Sequence, residues 1–128
     1  MNLKEYSIYA MKTLTPRDYQ IEHDIHMLMG MSTEVGELTD VYKKHLFYNK
    51  KLDVTNIKEE IGDLMWYVVN FCSIHGYDLE TILEQNVQKL KTRYPNGTFE
   101  AKKANDRNLF MERVALEEDR EEDLKLGR

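Results

Sequence analysis

Two carboxylates, Glu60 and Asp63, are set inside one of the most apolar parts of the chain, among Ile57, Ile61, Leu64, Met65, Trp66, Val68 and Val69. Residues three apart on a helix lie about 60° apart around its axis and one turn along it. The pair therefore projects side by side from a segment that otherwise favours burial. Position 67 falls about 40° from position 63 on the same wheel, and position 70 about 20°. Glu60, Asp63, Tyr67 and Asn70 thus form one polar stripe down an apolar helix. A solvated face would carry more Lys and Gln.

A second pair with the same gap, Glu34 and Glu37, precedes the first, with Lys44 and Tyr48 on a comparable stripe. If the two helices pack as antiparallel neighbours, four carboxylates converge. Bare charges so arranged raise one another's pKa values or hold a divalent cation. Oxygen-only ligands suit Mg²⁺, with Mn²⁺ as the alternative. Taken singly, each pair is the ordinary solvated face of a charged helix. Together, on consecutive helices and with one pair embedded in hydrophobics, they favour a metal site. A ferritin-like di-iron site would need an ExxH set, but Gln20, His23, Tyr42 and Cys72 stand three before the four histidines. His23 reads as structural. His26, two turns before Glu34 and roughly 80° around the helix, is placed to border the site.

The rest of the chain reads as helix. Proline occurs only at 16 and 95, and strand alternation is hard to find. The pattern predicts a first helix from Leu3 to about Leu14. A second opens at Thr15-Pro16 and runs, bent near Gly30 or Gly36, to about Tyr48. Asp53 or Thr55 caps a third, which Gly76 stops. Asp78 caps a fourth, ending near Tyr94 before the turn at Pro95-Asn96-Gly97. Leu109 to Leu124 reads as a charged terminal helix. The expected fold is all-α, a four-helix-bundle type, with a domain over residues 1–100 and a charged extension over 101–128.

On the fourth helix, Leu83, Val87 and Leu90 read as a core stripe flanked by Lys89 and Arg93, with Asn86 adjoining and Tyr94 at the end. Two readings stay open for the cations: complements to the helix C-terminus, or a phosphate clamp facing the acids. A formal net charge of -5 argues against sequence-independent duplex binding. The lone Cys72 excludes an internal disulfide and a Cys-rich metal site. The first residues lack a secretory pattern, and no apolar run is long enough for a bilayer, so a cytoplasmic protein without membrane partners is expected.

The segment "GMSTEVGELTDVYKKHLFYNKKLDVTNIKEEIGDLMWYVVN", followed by "NVQKLKTRYPNGTF", resembles the MazG-like family of all-α nucleoside triphosphate pyrophosphohydrolases. Its hallmark is ExxE followed by ExxD, and the likeness is to small single-domain members found in phages and bacteria. It covers about Leu14 to Phe99. The resemblance implies hydrolysis of a (d)NTP to the monophosphate and pyrophosphate with Mg²⁺, for pool control or house-cleaning. It implies Glu34, Glu37, Glu60 and Asp63 as metal ligands and Glu37 as the residue that orients the attacking water. It implies Lys89, Arg93 and Tyr94 as phosphate contacts, and a homodimer or homotetramer. Lys44, Tyr67, Asn70, Asn86 and His26 join the expected substrate contacts, whereas Trp66 reads as core. The alternative is a non-catalytic helical nucleotide-binding or assembly module, for which the Met-rich run from Met27 to Met31 and the charged tail speak.

Overall fold

A computed structural model describes the backbone of residues 1–125 and the side chains of residues 1–117. Among the described residues there are six helices and no strand: α1 (Leu3–Lys12), α2 (Gln20–Phe47), α3 (Val54–His75), α4 (Leu79–Arg93), α5 (Ala101–Asn105) and α6 (Leu109–Lys125). None is long and apolar enough to cross a membrane. Contacts divide the chain into two units, Met1–Asp78 and Leu79–Arg128.

Local chemistry sets most of the helix ends. The Asn2 side chain accepts from the Glu5 amide at 2.9 Å, and the Glu5 carboxylate accepts from the Asn2 amide at 3.0 Å, a reciprocal capping box. Asp53 caps α3 by accepting from the Asn56 amide at 3.0 Å. Such a cap stabilises a helix by about 1 kcal/mol. Gly76 ends α3 at φ 69°, a left-handed conformation that a Cβ would strain. The Tyr77 amide then returns to the Cys72 carbonyl at 2.9 Å.

The start of α2 departs from expectation. Pro16 does not open the helix. Residues 14–19 are irregular, Tyr19 is the cap, and α2 begins at Gln20. The Arg17 amide donates to His23 Nε2 at 3.1 Å, so the first turn of α2 holds the approaching chain through a side chain. From there α2 is one continuous helix through both Gly30 and Gly36.

In the first unit, α2 and α3 run antiparallel. His75 meets Asp24, Tyr67 meets Gly30 and Glu60 meets Glu34, so numbers rise on one helix as they fall on the other. Met27 of α2 and Val69 of α3 are wholly buried. At Gly30 the α2 backbone meets the Tyr67 ring of α3. A Cβ built there would run into the Tyr67 ring, so the ring occupies the space of the missing side chain. The first helix lies along α3 with Ala10 buried against it.

In the second unit, α4 packs on α6. Gln88, Lys91 and Thr92 share a cavity with Met111, Val114 and Ala115. The expected core stripe of Leu83, Val87 and Leu90 stays exposed, because α6 takes a different face of α4. The carboxylate of Glu112, 3% exposed, is gripped by two cations. Arg93 donates from Nε at 2.9 Å and from a terminal nitrogen at 3.0 Å, and Arg107 donates at 2.6 Å. The two guanidiniums hold the Glu112 carboxyl down at about 2.

Candidate functional site

The antiparallel register of α2 and α3 brings the two acid pairs together. One carboxylate oxygen each from Glu34, Glu37 and Glu60 lies within 4.8 Å of the others. Glu60 is 7% exposed, Glu34 half-buried and Glu37 exposed. Asp63, one turn further along α3, lines a cavity with Glu34 and adds its charge to the cluster. Asn56, one turn before Glu60, donates from Nδ2 to Glu60 Oε1 at 2.6 Å and fixes that carboxylate.

The electrostatic consequence falls on Glu34. Burial, a hydrogen bond with the Glu60 carboxylate, and the charges of Glu37, Asp63 and Glu60 push its carboxyl up to about 7. The neighbouring lysines do not offset this. Lys44 is held by Asp40 at 2.6 Å and Lys43 by the same carboxylate at 3.4 Å. Three oxygen donors from two helices converge here, with Asp63 beside them, and the raised Glu34 carboxyl holds its proton more readily; such a donor set suits a hard divalent cation. A cation would replace that proton.

The cavity beside the acids has a volume of about 360 Å³ and is lined by Thr13, Glu34, Asp63, Trp66 and Tyr67. One wall is acidic and the other aromatic. Trp66 and Tyr67 pack edge to face, their centroids 4.9 Å apart, and His26 meets Tyr67 at 5.8 Å. His26 therefore borders the aromatic wall. Trp66, expected in the core, stands on the cavity wall. Tyr6 of α1 comes to the rim, its hydroxyl 3.4 Å from the Gly62 carbonyl. Burial and the nearby Asp63 raise its phenol.

The other expected contacts are placed differently. Asn70 is 0% exposed. Its Nδ2 donates to the Ala10 carbonyl at 3.4 Å, and its Oδ1 is buried without a partner. It faces the packing of α1 on α3 and not the cavity, although it shares the stripe of Glu60 and Asp63 on the wheel. Asn86, Lys89, Arg93 and Tyr94 belong to the second unit. Arg93 is bonded to Glu112, and its guanidinium lies 5.9 Å from the Tyr94 ring centre. Glu112 escaped the sequence reading because it lies in the terminal segment, which reads as a charged, solvated extension. Thr13 escaped it because nothing local marks it.

The family model of the MazG nucleotide pyrophosphohydrolase domain matches residues 23–98, a span that holds all four acids and the motif of α4. The chain is similar to the Gene 37 protein of Mycobacterium phage L5, with 29% identity over 85 residues, 62% of this chain and 74% of that protein. No solved structure matches it. An all-α fold, a convergent acid cluster on two antiparallel helices and a family match over more than half of the sequence agree, and the chain belongs to the MazG nucleotide pyrophosphohydrolase family.

Proposed function

We propose that the protein hydrolyses a nucleoside triphosphate, with deoxynucleotides favoured, to the monophosphate and pyrophosphate. Glu34, Glu37, Glu60 and Asp63 would hold Mg²⁺ or Mn²⁺. The observation that carries this reading is the convergence of three carboxylates from two helices around the buried Glu60. A cation bound there supplies charge neutralisation and polarises phosphoryl oxygens.

The chain's own groups divide the remaining work. Asn56 keeps Glu60 oriented. Glu37, the exposed one of the three converging carboxylates, would orient the attacking water and take its proton. The water oxygen bonds to the α-phosphorus, the bond to the bridging oxygen breaks, and pyrophosphate leaves. Lys89 and Tyr94 are assigned to phosphate contacts on the family resemblance, with Asn86 adjoining and Lys44 as a further cation near the acids. Arg93 joins them only in competition with Glu112. Tyr67 and His26 border the substrate from the aromatic side. Asn70 holds α1 through Ala10.

The test is release of pyrophosphate from a panel of normal and modified (d)NTPs with Mg²⁺ or Mn²⁺. Pyrophosphate from at least one of them is expected. Orthophosphate alone would refute the reaction, and no turnover on any member would favour a non-catalytic binding or assembly module.

Self-association into a dimer or tetramer belongs to the same reading. Ile21, Ile25, Leu28 and Met29 form a helical stripe on α2 that is about half or more exposed, 63% at Ile21. Among the described residues, few side chains are buried. Light scattering is expected to give a mass in solution at least twice 15.2 kDa; a monomer at micromolar concentration would sink this part of the proposal.

A further inference from the structure

The family match begins at residue 23, yet one wall of the site depends on the helix before it. Thr13, the residue that ends α1, lines the cavity together with Glu34, Asp63, Trp66 and Tyr67. Its hydroxyl is fully directed. It donates to the Ala10 carbonyl at 2.8 Å and accepts from the Trp66 indole nitrogen at 2.7 Å. The indole is therefore fixed at its polar edge by α1, and Tyr67 packs against it edge-on. Tyr67 is itself seated in the gap left by Gly30. The cavity brings charged and flat aromatic side chains onto one lining. Its volume of about 360 Å³ falls in the ~300–1,000 Å³ range of small-molecule sites. A ligand matching both kinds of side chain carries phosphates at one extremity and a planar ring at the other.

We propose that the nucleoside end of the substrate rests against the Trp66 indole, and that Thr13 of α1, by fixing that indole, sets which nucleosides the site accepts. This rests on the pyrophosphohydrolase reading for the identity of the ligand. It adds a platform and a positioning residue. The first 22 residues, outside the shared domain, become the part of this chain that tunes selectivity. Every base has a face able to stack on an aromatic ring, so discrimination comes from how the ring is held. The hydroxyl of Thr13 donates to the Ala10 carbonyl and accepts from the indole, so any capacity left to it is that of an acceptor.

Trp66 is the only tryptophan of the chain, so its emission reports on this wall alone. In the full-length protein with Mg²⁺, titration with the common deoxynucleoside monophosphates is expected to quench the emission, unequally between bases. Inorganic tripolyphosphate, which has the charge but no nucleoside, is expected to leave it unchanged. Silence toward every nucleotide, or the same quenching by tripolyphosphate, overturns the platform. Thr13→Val keeps the shape and removes the acceptor. It is expected to shift the emission of the free protein and to change the kcat/KM ratio between the best and worst nucleotide by about tenfold, mainly through KM. Thr13→Ser, which keeps the hydroxyl, is expected to retain the wild-type ratio. An equal change for all nucleotides would mark Thr13 as merely structural and refute its role. Quenching without any pyrophosphate release would sink the hydrolase reading and leave the platform standing; release with silent emission would do the reverse.

Discussion

Glu60→Gln is expected to lower pyrophosphate release by about a thousandfold while leaving the helical signal intact. Glu60 is the buried member of the acid cluster. Glutamine has nearly the same shape, and its carbonyl can still accept the 2.6 Å bond from Asn56. What disappears is one negative charge at the point where the proposed cation would be held. Interactions of that kind stabilise a transition state by several kcal/mol, and each 1.36 kcal/mol is tenfold in rate. Stability should move the other way. Glu60 raises the Glu34 carboxyl both by its hydrogen bond and by its charge. With a neutral amide in its place, Glu34 ionises more readily and the metal-free fold gains at neutral pH. Steady-state assays with circular dichroism and a thermal melt in EDTA check both halves. Wild-type turnover in the variant would remove Glu60 from the site. Loss of turnover together with loss of helix would show a folding defect instead.

The second large effect is on the pH dependence of the metal-free protein. The Glu34 carboxyl ionises at about 7 in the folded chain against an ordinary value of 4.5. Between these values the folded state keeps a proton that the unfolded state has released. Stability therefore falls as pH rises through this window, and the loss is complete above about 7. Glu112 works in the opposite sense and in a separate range, since its contribution is lost only as pH falls from 4.5 toward 2. Melting in EDTA from pH 5 to 8 should thus show a declining midpoint. Saturating Mg²⁺ or Mn²⁺ should restore it, with about 2.7 kcal/mol expected at a hundred times the dissociation constant. The restoration should be larger at pH 8 than at pH 5, because at pH 5 the cation must first displace the proton on Glu34. A midpoint that rises across the window in EDTA, or a metal effect independent of pH, would contradict the clustered-acid account.

What the sequence disclosed follows from the range of each interaction. The acid pairs were legible because helical geometry alone places residues three apart on one face, and both ends of α3 were legible because Asp53 and Gly76 act on their own neighbours. The antiparallel facing of α2 and α3 stood in the sequence only as a condition, and the structure supplies it. Asn70 was misjudged by the same wheel that found Glu60. Its surroundings are set by Ala10, sixty positions away, which no local pattern reveals. Trp66 looked like core because large aromatics on apolar helices usually are. Its bond to Thr13 spans 53 positions. Arg93 read as a complement to the helix end or a phosphate contact, since its partner Glu112 lies 19 residues on, in a terminal helix that looked like a solvated extension. Pro16 misled because a proline that can open a helix can equally sit in the irregular chain before one.

The contact between Gly30 and Tyr67 bears on how such a sequence can change. The ring fills the volume that a side chain at 30 would take, so the two positions divide one fixed allotment of space between two helices. Neither is free to drift alone. A larger residue at 30 demands a smaller one at 67, and the exchange would also withdraw the surface on which Trp66 and His26 lean. Among descendants of this chain, positions 30 and 67 should vary as a pair, and any lineage that fills the glycine must rebuild the aromatic wall of its site.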